Sequence, residues 1–116
     1  MKIWLDDIRP APDGYIWIKS VNEAKEFILN CERKYADLFT KEKIYDTSLL
    51  ARFWDIDHDA GDSAKDGGDY IELLNWLERT HRMNYTFKFH SSNPVGVENM
   101  RRIVQHNDFR QWREVK

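Results

Sequence analysis

Apolar and polar positions fall into short blocks along the chain. Ile3, Trp4 and Leu5 form an apolar run that stops at Asp6-Asp7. The following Arg9-Pro10-Ala11-Pro12-Asp13-Gly14 carries two prolines and an Asp-Gly turn, so Lys2 to Leu5 reads as a strand and its successor as a loop. Tyr15-Ile16-Trp17-Ile18 is a second run of strand formers. Ser20 precedes Glu23 by three residues, the capping-box spacing, and Ala24, Phe27, Ile28 and Cys31 then fall at i, i+3, i+4 and i+7. A helix starts there and is read over Val21 to Leu29. Ala51 to Asp57 reads as a strand running into an acid-rich segment, Asp55, Asp57, Asp59, Asp62, Asp66 and Asp69. Asp69 and Glu72 repeat the cap spacing ahead of a stripe of Tyr70, Leu73, Leu74 and Leu77, a second helix. Tyr85, Phe87 and Phe89 alternate with Thr86, Lys88 and His90, which predicts a strand with one wetter face, at or near a sheet edge. Asn93-Pro94 opens a third helix with Val97, Met100 and Val104 inward. Residues 33 to 50 show no clean period, and Asp108 to Lys116 is too polar to assign.

Strands alternating with helices imply an α/β fold, a three-layer sandwich on a short, mainly parallel sheet, formed by residues 1–116 as one domain with no clear fifth strand. Ligands bind beyond the carboxyl ends of such strands. That rule selects Asp6-Asp7, Asp57-His58-Asp59 and His90-Ser91-Ser92-Asn93.

Composition narrows the function classes. The aromatic fraction is 14%, enough for a small domain to bury a large apolar area with few side chains. Trp4, Trp54 and Trp76 read as core, leaving Trp17 and Trp112 as the candidates for stacking a nucleobase. Lys plus Arg number 18 against 20 Asp plus Glu, which argues against duplex DNA held on a broad basic face and leaves a small nucleotide or an RNA end. Cys31 stands alone, so neither an internal disulfide nor a cysteine zinc site is expected. With no leader-like stretch and no apolar run near the roughly 20 residues of a membrane span, the expected location is cytoplasmic.

Carboxylates crowded at strand ends repel one another, so Asp6, Asp7, Asp57 and Asp59 call for a divalent cation or for raised pKa values. Oxygen ligands alone favour Mg2+, and recruitment of His58 or His90 would favour Mn2+, Fe or Zn2+. The competing reading of these acids is capping in solvent, which suits Asp62 and Asp66. His58 and His90 stand at strand ends among polar neighbours, either as a general acid and base or as structural groups; His81 and His106 read as surface. Ser91, Ser92 and Asn93 precede the helix that Pro94 opens, an anion site unless Asn93 is a plain cap. Arg9 either clamps a phosphate or neutralises Asp7.

Asp6-Asp7 and Asp57 resemble the acidic triad of response-regulator receiver domains, which implies that the paired acids hold Mg2+ and the third accepts phosphate. Val21 to Leu29 looks like the receiver's second helix, the first being reduced to the proline-rich loop. Leu5-Asp6-Asp7-Ile8-Arg9-Pro10, Asp57-His58-Asp59-Ala60-Gly61-Asp62 and His90-Ser91-Ser92-Asn93-Pro94-Val95-Gly96 together resemble the receiver-like family of cyclic-phosphate processing domains over most of the chain. The resemblance implies a receiver/flavodoxin-like fold and chemistry on a cyclic phosphate. No Lys-Pro pair follows the fourth strand and histidines stand beside the acids, so phosphorelay signalling is not implied. The expected activity is metal-assisted opening of a 2',3'-cyclic nucleotide or RNA-end cyclic phosphate. Asp57, His58 and His90 would be catalytic, with Arg9, Ser91, Ser92 and Asn93 on the phosphate and Mg2+ or Mn2+ on Asp6, Asp7, Asp57 and Asp59. The competing class is a non-enzymatic receiver-like module that binds a phosphorylated ligand or protein. No membrane partner is expected, and the oligomeric state stays open.

Overall fold

Strand β1 (Lys2–Leu5) lies inside a five-stranded sheet with β2 (Tyr15–Ile18), β3 (Phe53–Ile56), β4 (Thr86–Phe89) and β5 (Arg113–Glu114), in a computed structural model that describes residues 1–116. The order is β2-β1-β3-β4-β5 and every neighbouring pair is parallel. Helices α1 (Val21–Lys41), α2 (Ile71–Arg79) and α3 (Pro94–His106) join β2 to β3, β3 to β4 and β4 to β5. All three connections step the same way across the sheet, and right-handed crossovers in one direction place their helices on one face. From β1 to β2 the chain steps the other way, through a loop at 6–14 in place of a helix, as the two prolines predict. The expected three-layer sandwich is therefore two layers here, because no helix among residues 1–116 covers the second face.

The register makes both faces explicit, since side chains alternate along each strand. Ile3, Leu5, Ile18, Trp54, Ile56 and Phe87 point towards the helices and are buried. They meet Val21, Ala24 and Ile28 of α1, Leu73, Leu74 and Leu77 of α2, and Met100 and Val104 of α3 in one core. The opposite face carries Lys2, Trp4, Tyr15, Trp17, Phe53, Asp55, Thr86 and Lys88.

Caps set where the helices start. Ser20 Oγ accepts from the Glu23 N–H at 3.1 Å, and Asn93 Oδ1 accepts from the Gly96 N–H at 2.9 Å. The second expected box does not form. Asp69 Oδ1 accepts from the Ala60 N–H at 3.0 Å, closing the turn that precedes α2, so α2 begins after Tyr70 with no side-chain cap. Asp66 caps no backbone group; its carboxylate accepts from Ser20 Oγ and Asn22 Nδ2 at 2.5 and 3.1 Å and ties the turn before α2 to the start of α1.

Two segments that showed no pattern acquire structure. Helix α1 continues to Lys41, and a short 3-10 turn follows at Thr47–Leu49. Most side chains of that half of the helix are exposed, so no periodic stripe is required of it. Phe39 packs on Tyr35 and Tyr45, ring centroids 6.1 and 4.8 Å apart. At the other end a fifth strand does exist. It has two residues, too few for alternation to be visible, and it covers the first half of β4, which is thus one strand in from the edge. Arg101 of α3 ties it down by donating from Nε and Nη2 to the Glu114 carboxylate at 2.6 and 2.9 Å. Trp112 is 3% exposed, donates from Nε1 to the Arg82 carbonyl at 3.0 Å, and belongs to the core rather than to a stacking platform. Trp112→Ala is accordingly expected to cost about 3–5 kcal/mol in urea unfolding, the usual loss for a truncated core indole. A loss under about 1 kcal/mol would detach the C-terminal segment from the core.

Candidate active site

Beyond Leu5 the chain turns at Asp6, whose Oδ1 accepts from the N–H groups of Ile8 and Arg9, both at 2.9 Å. Two indoles hold the same loop: Trp4 Nε1 donates to the Arg9 carbonyl at 2.8 Å and Trp17 Nε1 to the Asp6 carbonyl at 2.7 Å. Trp17 is therefore a loop anchor, and Lys19 Nζ stands 4.4 Å over its ring. Arg9 neither pairs with Asp7 nor stands free, because its Nη1 donates to the His90 carbonyl at 2.8 Å. Side chains thus do the work of the helix that is missing between β1 and β2.

His90 follows β4 and sits between two acids. Its Nδ1 is 2.7 Å from Asp55 Oδ1 and its Nε2 is 2.8 Å from Asp6 Oδ2. A neutral imidazole has one N–H only, whereas the imidazolium donates from both nitrogens and so suits two carboxylate contacts. The Trp4 ring stacks flat on it, centroids 3.7 Å apart and planes within 5°. Burial pulls the His90 pKa down, but bonding to Asp55 and Asp6 outweighs it and raises the pKa above 6.5. For Asp6 burial pushes upward, yet the N–H groups of Ile8 and Arg9 together with His90 hold it below the usual carboxylate range.

Asp6, Asp7 and Asp57 each bring a carboxylate oxygen to one place, all within 4.8 Å of one another. Asp57 is anchored through its N–H to the Leu5 carbonyl at 2.9 Å, and Asp7 faces the turn at Gly61. Gly61 has φ +56°, and a Cβ there would collide with the Asp7 carboxylate, so only glycine leaves that space open. Burial raises the Asp7 pKa, and the charges of Asp6, Asp57 and Asp62 raise it further. Neither Asp7 nor Asp57 has a basic partner within 4 Å, since the salt bridges of the chain use other acids. Three convergent oxygens with excess negative charge are a donor set suited to a hard divalent cation.

Asp59 is the expected fourth ligand that the structure does not bring to this group. Its Oδ1 lies 2.8 Å from His58 Nδ1, and Asn93 Nδ2 donates to its Oδ2 at 3.3 Å. Those bonds hold the Asp59 carboxyl below its ordinary pKa. The His58 ring lies against the first turn of α3, where a Cβ on Gly96 would collide with it. Ser91 Oγ accepts from the Asn93 N–H at 3.1 Å, and Ser92 is exposed. The two histidines that looked alike in the sequence therefore stand apart: His90 is held by Asp6 and Asp55, His58 by Asp59 and α3.

Residues 1–106 match the model of the cyclic-phosphate processing receiver domain. The chain belongs to this family. No curated protein and no solved structure matches it. No helix is long and apolar enough to cross a membrane.

One member of the buried cluster around His90 carries no signal in the motifs at the strand ends. Asp55 is 4% exposed in the middle of an apolar strand, and a buried acid among Phe53, Trp54 and Ile56 needs a cation; that was the available signal. Tyr70, buried below the acids, donates its hydroxyl to the Lys19 carbonyl at 2.7 Å; burial and then the nearby carboxylates raise its pKa. Removing one partner of the buried cluster, as in His90→Gln, is expected to cost about 3–5 kcal/mol. Because the folded His90 pKa is raised, its stabilisation is complete below the unfolded value near 6.5 and is lost as pH climbs through the folded value. In chelator-treated protein the urea midpoint should fall over that window, and His90→Gln should remove the fall. A midpoint with the same pH dependence in both proteins would show that His90 is not the clamped cation.

Proposed function

We propose that this receiver domain hydrolyses a five-membered cyclic phosphodiester, a 2',3'-cyclic nucleotide or RNA end, with help from a divalent metal. The observation that carries the reading is the convergence of Asp6, Asp7 and Asp57 oxygens at the carboxyl edge of the sheet, beside the N-terminus of α3. The cyclic-phosphate processing family supports the substrate class. Mg2+ or Mn2+ held by these oxygens would supply Lewis acidity and charge neutralisation at the phosphate.

The chain's own groups divide the remaining work. Asp6 is kept ionised and fixed by two backbone N–H groups and His90, so it presents its charge without reorganising. Ring opening adds the water oxygen to phosphorus, with one water proton kept there and the other passed to the departing sugar oxygen as its bond to phosphorus breaks. With Nδ1 directed at Asp59, His58 keeps Nε2 for that transfer. His90, expected to be its partner, has both nitrogens committed to carboxylates and serves as a positioning residue for Asp6. Asn93, expected on the phosphate, is spent as the α3 cap and on Asp59, so Ser91, Ser92 and the positive end of α3 would be left to meet the charge that grows on the non-bridging oxygens. Arg9 holds the site loop to His90.

Turnover of 2',3'-cyclic mononucleotides with Mg2+ or Mn2+ tests the reading directly. Hydrolysis is expected, and His58→Ala should slow it roughly 100-fold to 10,000-fold with little change in stability. A folded protein that binds phosphorylated ligands but turns none over would replace the enzyme with a non-enzymatic receiver-like module. Metal binding is tested separately by melting. Saturating Mg2+ or Mn2+ should stabilise the wild type, by about 2.7 kcal/mol at a hundredfold excess over the dissociation constant. Asp57→Asn should lose that response, yet melt higher than the wild type without metal, because it relieves repulsion among the three acids. A wild-type melting temperature unmoved by either ion would remove the metal from the proposal.

A further inference from the structure

The helix-free face of the sheet has a composition that the acid cluster does not use. Its lower row reads Tyr15, Lys2, Phe53, Thr86, Arg113 across the five strands, and its upper row Trp17, Trp4, Asp55, Lys88. Lys2 Nζ stands over the Tyr15 and Phe53 rings, 5.6 and 5.9 Å from their centroids, and the Tyr15 ring meets Trp4 edge-on at 6.0 Å. Lys2, Lys88 and Arg113 are exposed, and none of them has a carboxylate within 4 Å. The single acid in these rows, Asp55, is 4% exposed and committed to His90. A chain with a formal net charge of −2 thus gathers unopposed cations on one face. Two shallow depressions, about 330 and 140 Å³, meet at Thr86 on its lower margin; the first reaches Ser48, Arg52 and Phe53, the second Gln111 and Arg113.

We propose that this face binds single-stranded RNA. Aromatic rings interleaved with lysine and arginine are the combination that open sheets use for an unpaired strand, with bases on the rings and phosphates on the cations. Three exposed cations match a few phosphates of one strand and fall far short of the two backbones of a duplex. Charged groups between the rings also disfavour an apolar protein helix as the occupant. The upper row ends under His90 and Asp6, since Trp4 stacks on His90, so a strand lying along it leads to the carboxylate cluster. In that respect the inference deepens the proposed function, favouring an RNA end over a free nucleotide, and it rests on that reading for the link to catalysis. Binding itself does not.

The test is fluorescence anisotropy with the full chain, chelator present, and a labelled single-stranded RNA of roughly ten nucleotides ending in a plain 3'-hydroxyl. Binding is expected to weaken with salt at a log–log slope of about −2, near 0.7 per phosphate for three phosphates. Lys2→Glu with Lys88→Glu should weaken it at least about tenfold, and Tyr15→Ala several-fold, while hydrolysis of a 2',3'-cyclic mononucleotide stays at the wild-type rate. No binding at low salt, equal binding by the charge-reversed protein, a preference for duplex, or a dimer that the reversal dissolves would each overturn the proposal. A wild-type protein that turns over the mononucleotide but binds no single-stranded RNA rejects this face alone. RNA binding without any turnover keeps the face and rejects the enzymatic reading.

Discussion

Carboxylate oxygens 2.7 and 2.8 Å from its two ring nitrogens favour a proton on each nitrogen of His90, and this buried group holds the carboxyl edge of the sheet together. It joins the end of β4 to Asp55 inside β3 and to Asp6 just beyond β1. Its carbonyl receives Arg9, and its ring lies on Trp4, which in turn holds the Arg9 carbonyl. The loop between β1 and β2 has no helix to brace it, so this knot and the Trp17 bond are what keep Asp6 and Asp7 beside Asp57. An unpaired Asp55 or Asp6 at such burial would cost several kcal/mol, which makes the arrangement all-or-none.

One-sidedness is the second consequence of the missing helix. All three helices cover one face because all three crossovers run the same way, and the hydrophobic rows of the sheet point only there. The other face is built from large amphipathic side chains that shield one another: tryptophans whose N–H groups find carbonyls, and lysines whose ammonium groups stand over rings. It needs no second layer to keep its polar groups satisfied, which leaves it free to meet a ligand of mixed aromatic and anionic chemistry.

The two histidines show how context assigns roles to identical side chains. His58 keeps one nitrogen unbonded beside the α3 N-terminus, a setting for proton transfer. His90 is doubly bonded to acids that both stabilise its charge, a setting that raises its pKa and favours the imidazolium. Gly61 and Gly96 are required around the same site for a steric reason, giving room to Asp7 and to the His58 ring.

Local pattern determined a good deal of this protein by itself. The runs at 2–5, 15–18 and 53–56, the Ser20 and Asn93 caps and the stripe through Leu73, Leu74 and Leu77 report elements whose periodicity is imposed by one shared core. The rule that ligands meet strand carboxyl ends then located Asp6, Asp7 and Asp57. Tertiary structure alone decided the rest. The outer half of α1 and the two-residue β5 left no period, because one packs largely outside the core and the other is too short to alternate. Whether Asp59 joined the acids, whether His90 was free, and which face of the sheet stayed bare depended on strand order and crossover direction. These bring together residues as distant as Asp6 and His90, and spacing along the chain carries no information about such pairs.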